Sequence, residues 1–90
     1  MNEQNNVVFI LTYSFYEEDN LYNHEIVGVY DSFEKAVDVM NREAKVIEIN
    51  NTIDDKLYYD HKSTARHYIH YYNDGNATNE LLMIYTRSVE

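Results

Sequence analysis

The segment from Val7 to Tyr16 limits the fold more than any other part of this sequence. It reads Val-Val-Phe-Ile-Leu-Thr-Tyr-Ser-Phe-Tyr, and every second side chain is apolar or aromatic. A spacing of two places side chains on one face of a β-strand, so the pattern predicts a strand. The alternate side chains are also apolar at the start of the segment, which is typical of a strand in the interior of a sheet. The chain is therefore expected to build a sheet on both sides of this segment.

A second strand is predicted after a polar loop. Residues 17–23 are mostly polar and predict the loop, whereas the alternation resumes from Glu25 to Tyr30. Two strands joined in this way are expected to be antiparallel neighbours. Gly28 lies inside the second strand, where a glycine indicates a β-bulge or a close approach of another group to the backbone.

A long helix is predicted from about Phe33 to Ile49. Asp31 as the N-cap, with Glu34 three residues later, resembles a capping box, and both acids suit the positive end of the helix dipole. Residues 50–52, Asn-Asn-Thr, end the helix. The apolar side chains recur at intervals of three and four and form one stripe: Phe33, Ala36, Val37, Met40, Ala44 and Ile47.

The segment from Ala65 to Tyr72 fits either a strand or a helix. In a helix, Ser63 would be the N-cap and Gly75 would end the last turn. Tyrosine and isoleucine favour strands, and residues 73–76, Asn-Asp-Gly-Asn, resemble a hairpin turn that leads into another strand. Of these two alternatives we favour the strand.

Leu81 to Ser88 predicts the last strand, and Ile53 to Asp60 predicts a loop with a short element packed on the sheet. The predicted order is β-β-α-β-β. This order corresponds to an α+β two-layer sandwich, a mainly antiparallel sheet with one long helix on one face. Ninety residues suffice for one hydrophobic core, so we expect residues 1–90 to form a single domain. The face without the helix would present tyrosines and aliphatic side chains to solvent or to a second copy in a homodimer.

Charge is distributed unevenly along the chain. Sixteen acidic residues outnumber seven basic ones, the net charge is −9, and neither lysine nor arginine occurs in the first 34 residues. Nucleic acids and anionic membranes are bound through clusters of Lys and Arg, so neither is expected as a direct partner. A basic protein is the partner that such a surface favours.

The predicted partner-binding site combines carboxylates of the first hairpin with two tyrosines as anchors. Acidic side chains raise the rate and specificity of association with a basic surface, and aromatic side chains supply buried contacts. The set is Tyr16, Glu17, Glu18, Asp19, Tyr22 and Glu25. The same carboxylates also fit a charged turn that only keeps the protein soluble. Asp31 and Glu34 are left out of the set, because helix capping accounts for them.

No catalytic, metal or cofactor site is predicted, and no enzymatic activity is expected. The sequence has no cysteine and two glycines, which excludes a thiolate nucleophile and a glycine-rich phosphate loop. The alternating acids of a calcium-binding loop are also missing. His61, His67 and His70 lie near Asp60, but in a strand His67 and His70 point to opposite faces and cannot hold one ion.

Five of the ten tyrosines lie between residues 58 and 72: Tyr58, Tyr59, Tyr68, Tyr71 and Tyr72. Aromatic side chains can stack against the bases of single-stranded nucleic acid, but such sites also need a positive groove. The overall negative charge opposes that function. We interpret these tyrosines as residues of the core, of a dimer interface or of a protein contact.

We expect a cytoplasmic protein. No apolar run approaches the roughly 18 residues that a membrane span requires. Residues 1–6, Met-Asn-Glu-Gln-Asn-Asn, lack the basic region and the cleavage site of a signal peptide.

Residues 26–36, Ile-Val-Gly-Val-Tyr-Asp-Ser-Phe-Glu-Lys-Ala, resemble the strand-turn-helix junction of many small phage and bacterial proteins. In size, acidity and composition the whole chain is similar to the small phage-encoded inhibitors of host defence. That class includes the anti-CRISPR proteins, several of which act as DNA mimics. The resemblance implies an inhibitor that occludes a basic host protein, such as a nuclease or a CRISPR effector, in the host cytoplasm. The alternative is a non-enzymatic, homodimeric structural or regulatory protein.

Overall fold

The computed structural model describes residues 7–61, 66–73 and 75–88, which form an antiparallel five-stranded sheet with one helix packed on it. The strand order across the sheet is β2-β1-β5-β4-β3. This is a small α+β fold, as the sequence predicts. The elements are β1 (Val7–Glu17), β2 (Asn20–Tyr30), α1 (Phe33–Asn50), β3 (Asp55–His61), β4 (Arg66–Asn73) and β5 (Thr78–Ser88).

Strand β1 lies in the interior of the sheet, between β2 and β5. Its pairing with β5 is continuous, and it places Leu11 beside Ile84 and Tyr13 beside Leu82. These side chains share the face that α1 covers. The prediction of an interior strand from the apolar alternation of residues 7–16 is therefore confirmed.

The predicted loop at residues 17–23 is wrong. The connection between β1 and β2 is a two-residue turn at Glu18 and Asp19, and β2 already begins at Asn20. Glu18 adopts a positive φ of 55°, which closes the tight turn. The polar side chains at the start of β2 are tolerated because β2 is an edge strand whose first residues are exposed to solvent.

Gly28 allows a close approach of the Tyr30 ring to the backbone of β2. A Cβ atom at Gly28 would lie 2.1 Å from the hydroxyl oxygen of Tyr30. A shift of register lies next to it: Gly28 pairs with Leu11 and Ile26 pairs with Thr12, so β2 has one additional residue. Both features that the sequence indicates for this glycine are therefore present.

Helix α1 follows the predicted apolar stripe, and its buried side chains are those of Ala36, Met40, Ala44 and Ile47. The N-cap is Ser32, whose side chain accepts a hydrogen bond from the Lys35 backbone N–H at 3.2 Å. The prediction of Asp31 as the N-cap is wrong. Asp31 instead forms an ion pair with Lys35 Nζ at 2.9 Å on the exposed surface.

The C-terminal half forms three strands, one more than the sequence indicates. The favoured strand is confirmed by β4, although Ser63 and Ala65 lie outside the described residues. The predicted loop at residues 53–60 is wrong over most of its length, because residues 55–61 form the edge strand β3. Strand β3 pairs with β4, so that Tyr58 lies beside Ile69. Its described side chains are exposed on both faces, and the strand therefore lacks the usual apolar alternation.

The hydrophobic core lies between α1 and one face of the sheet. Its buried sheet residues are Leu11, Ile69, Tyr71, Leu82 and Ile84. The other face has no second layer among the described residues, and we call it the open face. Strand registers place on it Ile10, Ile26, Val29, Leu57, Tyr59, Tyr68, His70, Leu81, Met83 and Tyr85.

Replacing Gly28 with alanine is expected to lower the free energy of unfolding by about 1–3 kcal/mol, because the new methyl group displaces the Tyr30 ring. Gly75→Ala is the matched control. There a Cβ atom would have its nearest neighbour at 3.6 Å, and the glycine has no positive φ. We expect the control to change stability by less than about 0.5 kcal/mol. Urea denaturation measures both variants, and equal stabilities would contradict this role of Gly28.

Candidate functional site

The two-residue turn between β1 and β2 presents three consecutive carboxylates, Glu17, Glu18 and Asp19, which we call the acidic tip. All three residues are exposed. The Glu18 backbone N–H donates a hydrogen bond to the Ala77 carbonyl at 2.6 Å. This bond joins the acidic tip to the turn between β4 and β5. The carboxylates therefore lie on an anchored turn at one end of the sheet.

The acidic tip keeps its negative charge unpaired within residues 7–61, 66–73 and 75–88. No ion pair in these ranges involves the three carboxylates. Two lysines of the described chain form ion pairs elsewhere: Lys35 with Asp31, and Lys56 with Glu48 at 3.1 Å. Three unpaired carboxylates in sequence give this end of the molecule a negative potential.

The structure does not bring all six predicted site residues together. Tyr16, Glu18 and Asp19 share a shallow cavity of about 360 Å³ on the open face, together with His70 and other side chains. Tyr22 lies near a register shift in β2 and is 64% exposed.

Glu25 is separated from the acidic tip. It lies within β2 opposite Tyr13, six residues beyond Asp19. Six residues of an extended strand span about 20 Å. The predicted position of Glu25 at the end of the same loop is therefore wrong, because the turn is shorter than the polar run indicates.

A cavity that the sequence does not indicate lies beside the acidic tip, on the helix side of the sheet. Its volume is about 330 Å³, and we call it the Glu80 cavity. Thr78, in its wall, pairs with Glu17 across the sheet. Its lining includes Phe15, Asn50, Tyr71, Asn76, Thr78 and Glu80.

Glu80 is a buried carboxylate on the helix side of β5, with 9% of its surface exposed. Tyr13 donates a hydrogen bond to its Oε1 atom at 2.6 Å. The signal for this residue is present in the sequence, since Glu80 continues the period-two pattern of Leu82 and Ile84. It was missed because the predicted last strand began at Leu81.

Two tyrosines beside the Glu80 cavity are held in the neutral form. Burial, together with the hydrogen bond to Glu80, raises the pKa of Tyr13. Burial and the neighbouring Glu48 raise the pKa of Tyr71, whose hydroxyl donates to Glu48 Oε2. Hydrogen bonds from Tyr71 and Lys56 lower the pKa of the Glu48 carboxyl. Both tyrosines are therefore hydrogen-bond donors to carboxylates.

A third cluster consists of Tyr58, His67 and Asp60, at the other end of the same face. His67 is 2% exposed, its Nδ1 lies 3.0 Å from Asp60 Oδ1, and its Nε2 lies 3.1 Å from the Tyr58 hydroxyl. The Phe33 ring contacts the imidazole edge-on at 5.6 Å between ring centroids. Burial and the Asp60 charge raise the pKa of Tyr58, which disfavours a phenolate nucleophile. This arrangement is that of a core histidine with both nitrogens satisfied.

His67 and His70 lie on opposite faces of β4, as a strand requires. The side chain of His61 lies outside the described residues. Within the described part of the chain, no group of three or more His, Cys, Asp or Glu side chains is arranged to hold a metal ion.

Comparisons with protein-family models, with curated proteins and with solved structures find no match for this chain. In the described residues, no helix combines the length and the apolar character needed to cross a membrane. The functional argument therefore depends on the geometry of the surfaces and cavities.

His70 is expected to make the stability of the fold fall as the pH is lowered below about 6.5. Its Nε2 is buried without a hydrogen-bond partner among the described residues. Burial lowers the pKa of His70 below 6.5, although a hydrogen bond with Asn79 opposes the shift. The unfolded chain therefore binds the proton first, so the stabilisation is complete above pH 6.5 and is lost as the pH falls.

Urea denaturation at several pH values tests this dependence. The wild type should lose more stability on acidification than His70→Gln, because the variant cannot bind that proton. Carboxylate titrations are common to both proteins and cancel in the difference. Parallel stability curves for the two proteins would contradict the assigned direction.

Proposed function

We propose that this chain is a small acidic inhibitor that binds a basic, nucleic-acid-handling enzyme and occludes its nucleic-acid groove. A CRISPR effector or another host-defence nuclease is the target class that we favour. The observation that carries the proposal is the acidic tip, three unpaired carboxylates on an anchored turn at the end of an elongated molecule. Tyr16 lies beside it as an aromatic contact.

Electrostatics supports a basic partner. Nucleic-acid grooves carry clustered Lys and Arg that neutralise phosphates, and carboxylates can occupy the same positions. Attraction over several ångströms raises the rate of association, and added salt screens it. The anchored turn reduces the conformational entropy that binding would otherwise remove from a free loop. These properties favour inhibition by occlusion over a catalytic mechanism.

Substitution of the acidic tip tests the electrostatic part of the proposal. The triple variant is Glu17→Gln, Glu18→Gln and Asp19→Asn. We expect it to inhibit DNA cleavage by a target nuclease about tenfold less than the wild type, and to lose most of the salt dependence of inhibition. Cleavage assays at low and high salt, across a panel of CRISPR effectors and restriction nucleases, measure both effects.

The control removes the same charge from helix α1 through Glu34→Gln, Asp38→Asn and Glu43→Gln. It should inhibit nearly as well as the wild type, because it leaves the acidic tip unchanged. Equal losses in the two triple variants would show that only net charge matters. The absence of inhibition across the whole panel would contradict the proposed function.

A second candidate function is a homodimeric structural or regulatory protein, and the open face favours it. Leu21, Ile26, Val29 and Leu57 are each about half exposed or more, at 54%, 60%, 54% and 48%. Five strands about 4.8 Å apart and about 30 Å long give a face of roughly 600 Å², near the 800 Å² per partner of a standard interface.

A second copy fits the open face better than a basic protein does. Within its strands, the charged side chains that the structure describes on this face are Asp55 and Arg87, and Glu18 and Asp19 of the acidic tip border it at one end. Away from that end, the face is nearly neutral in a chain of net charge −9. Two copies can therefore meet there with little like-charge repulsion. Facing sheets would pack about 10 Å apart, as in β-sandwiches.

Sedimentation equilibrium from about 10 μM to 1 mM tests the dimer with a matched pair of variants. Val29 on the open face and Val46 on α1 are almost equally exposed, at 54% and 52%. Val29→Lys should shift the wild-type dimer to a monomer, because it places a charge in the interface. Val46→Lys should remain dimeric. A wild type that stays monomeric over the whole range would exclude this function.

A further inference from the structure

We propose that the Glu80 cavity binds a guanidinium group, presented by the basic partner as an arginine side chain. The site deepens the proposed function, because it names the chemical group that the partner would insert beside the acidic tip. It also makes a prediction about this chain alone, since a free alkylguanidinium ion should bind the cavity without any partner.

The buried carboxylate of Glu80 favours a cationic ligand. A carboxylate removed from water is stabilised when a cation lies beside it. Tyr13 supplies one neutral hydrogen bond. No ion pair to Glu80 is found within the described ranges, where Lys56 is paired with Glu48. The cavity therefore contains a negative charge that a cation would match.

The C-terminal end of α1 also favours a cation in this cavity. Asn50, Asn51 and Thr52, at the C-terminus of α1, line the cavity. A helix C-terminus carries a partial negative charge of about half an electron. The last turn of α1 contains no basic residue to compensate it. The helix end and Glu80 are both negative, so both favour a positively charged ligand.

The aromatic side chains of the cavity favour guanidinium over other cations. Phe15 and the rings of Tyr71 and Tyr72 line the same cavity, and planar guanidinium groups stack on aromatic faces while they donate to carboxylates. A volume of about 330 Å³ is at the lower end of ligand pockets and suits one side chain.

The cavity wall is ordered before any ligand enters. Asn73 donates from Nδ2 to the Thr52 carbonyl at 2.9 Å, and its Oδ1 accepts from the Asn76 backbone N–H at 3.1 Å. These bonds connect the segment after α1 to the turn before β5. Less conformational freedom is therefore lost when the cavity is occupied.

The position of the cavity explains how a partner arginine would reach it. Thr78 lines the cavity and pairs with Glu17 of the acidic tip. A basic chain attracted to the acidic tip would thus have an arginine within one side-chain length of Glu80. The tip would supply long-range attraction, and the cavity would supply the specific contact.

Titration of ¹⁵N-labelled protein with n-butylguanidinium, followed by NMR, tests the site. We expect shifts of the Tyr71, Thr78 and Glu80 amides, with a dissociation constant of about 1–10 mM. n-Butylurea has nearly the same shape without the charge and should leave these amides unchanged. Equal shifts from both compounds, or shifts only at the acidic tip, would overturn the proposal.

Glu80→Gln is the decisive variant, because glutamine keeps the shape and can still accept from Tyr13. It should weaken n-butylguanidinium binding about tenfold or more. Its melting temperature should equal or exceed that of the wild type, since a buried charge is removed. Glu43→Gln, on α1, is the matched control and should bind as the wild type does. Unchanged affinity in Glu80→Gln would also overturn the proposal. If this variant fails to fold, the comparison of n-butylguanidinium with n-butylurea on the wild type still tests the site.

The triple variant of the acidic tip separates this site from the proposed function. It should still bind n-butylguanidinium within about threefold of the wild type, because the contact with Glu80 remains. If n-butylguanidinium fails to bind while tip-dependent nuclease inhibition is observed, the cavity is wrong and the proposed function stands. If n-butylguanidinium binds while no nuclease in the panel is inhibited, the cation site stands and the inhibitor function is excluded.

Discussion

The pairing of β1 with β5 is the interaction on which the rest of the structure depends. Eleven residue pairs join the two strands without a register shift, from Val7 with Ser88 to Glu17 with Thr78. Because β1 is the first strand and β5 the last, this pairing encloses the rest of the described fold. It connects the β1–β2 hairpin to the β3–β4 pair. In the described sheet, no strand of the first pair is hydrogen-bonded to a strand of the second. Leu11, Leu82 and Ile84 at its centre are completely buried, and Met40 of α1 is buried with them.

The same central pairing determines where the unusual chemistry lies. Strands β1 and β5 extend to the end of the sheet where the acidic tip and the Glu80 cavity adjoin. Since α1 ends at Asn50, its C-terminus lies at that same end. Negative charge from side chains and from the helix end is thus collected at one end, whereas the open face away from that end is nearly neutral. Electrostatic binding and self-association can therefore use different surfaces of one small domain.

Sequence patterns predicted the interior of the fold well and its edges poorly. Strand β1, helix α1 and strand β4 each pack one side against the core. Their apolar residues therefore recur at the spacing of a strand or a helix, and the sequence shows this spacing. Strand β3 and the start of β2 lie at the two edges of the sheet and are exposed, and no periodic pattern is imposed on them. The N-cap at Ser32 was misassigned because Asp31 is an equally good capping residue by type.

The candidate site was predictable to a similar degree. Glu17, Glu18 and Asp19 are consecutive in the sequence, so they form a cluster whatever the geometry of the turn. The sequence alone therefore identifies them. The position of Glu25 relative to the acidic tip depends on the length of the turn. Because the turn has only two residues, Glu25 lies well inside β2. The Glu80 cavity depends on four segments that are distant in sequence: β1, the end of α1, β4 and β5. Its formation follows from tertiary packing, and a single buried acid in an apolar strand was its only local signal.

The two register shifts in β2 affect whether another strand can pair with the exposed edge of this sheet. They lie between Leu11 and Thr12 and between Phe15 and Tyr16 on the partner strand. Bulges bend an edge strand and interrupt the regular spacing of its outward N–H and C=O groups. A straight foreign strand then cannot add to this edge by continuous hydrogen bonding, which is the first step of edge-to-edge aggregation. The irregular strand β2 thus makes its edge of the sheet a poor template for strand addition.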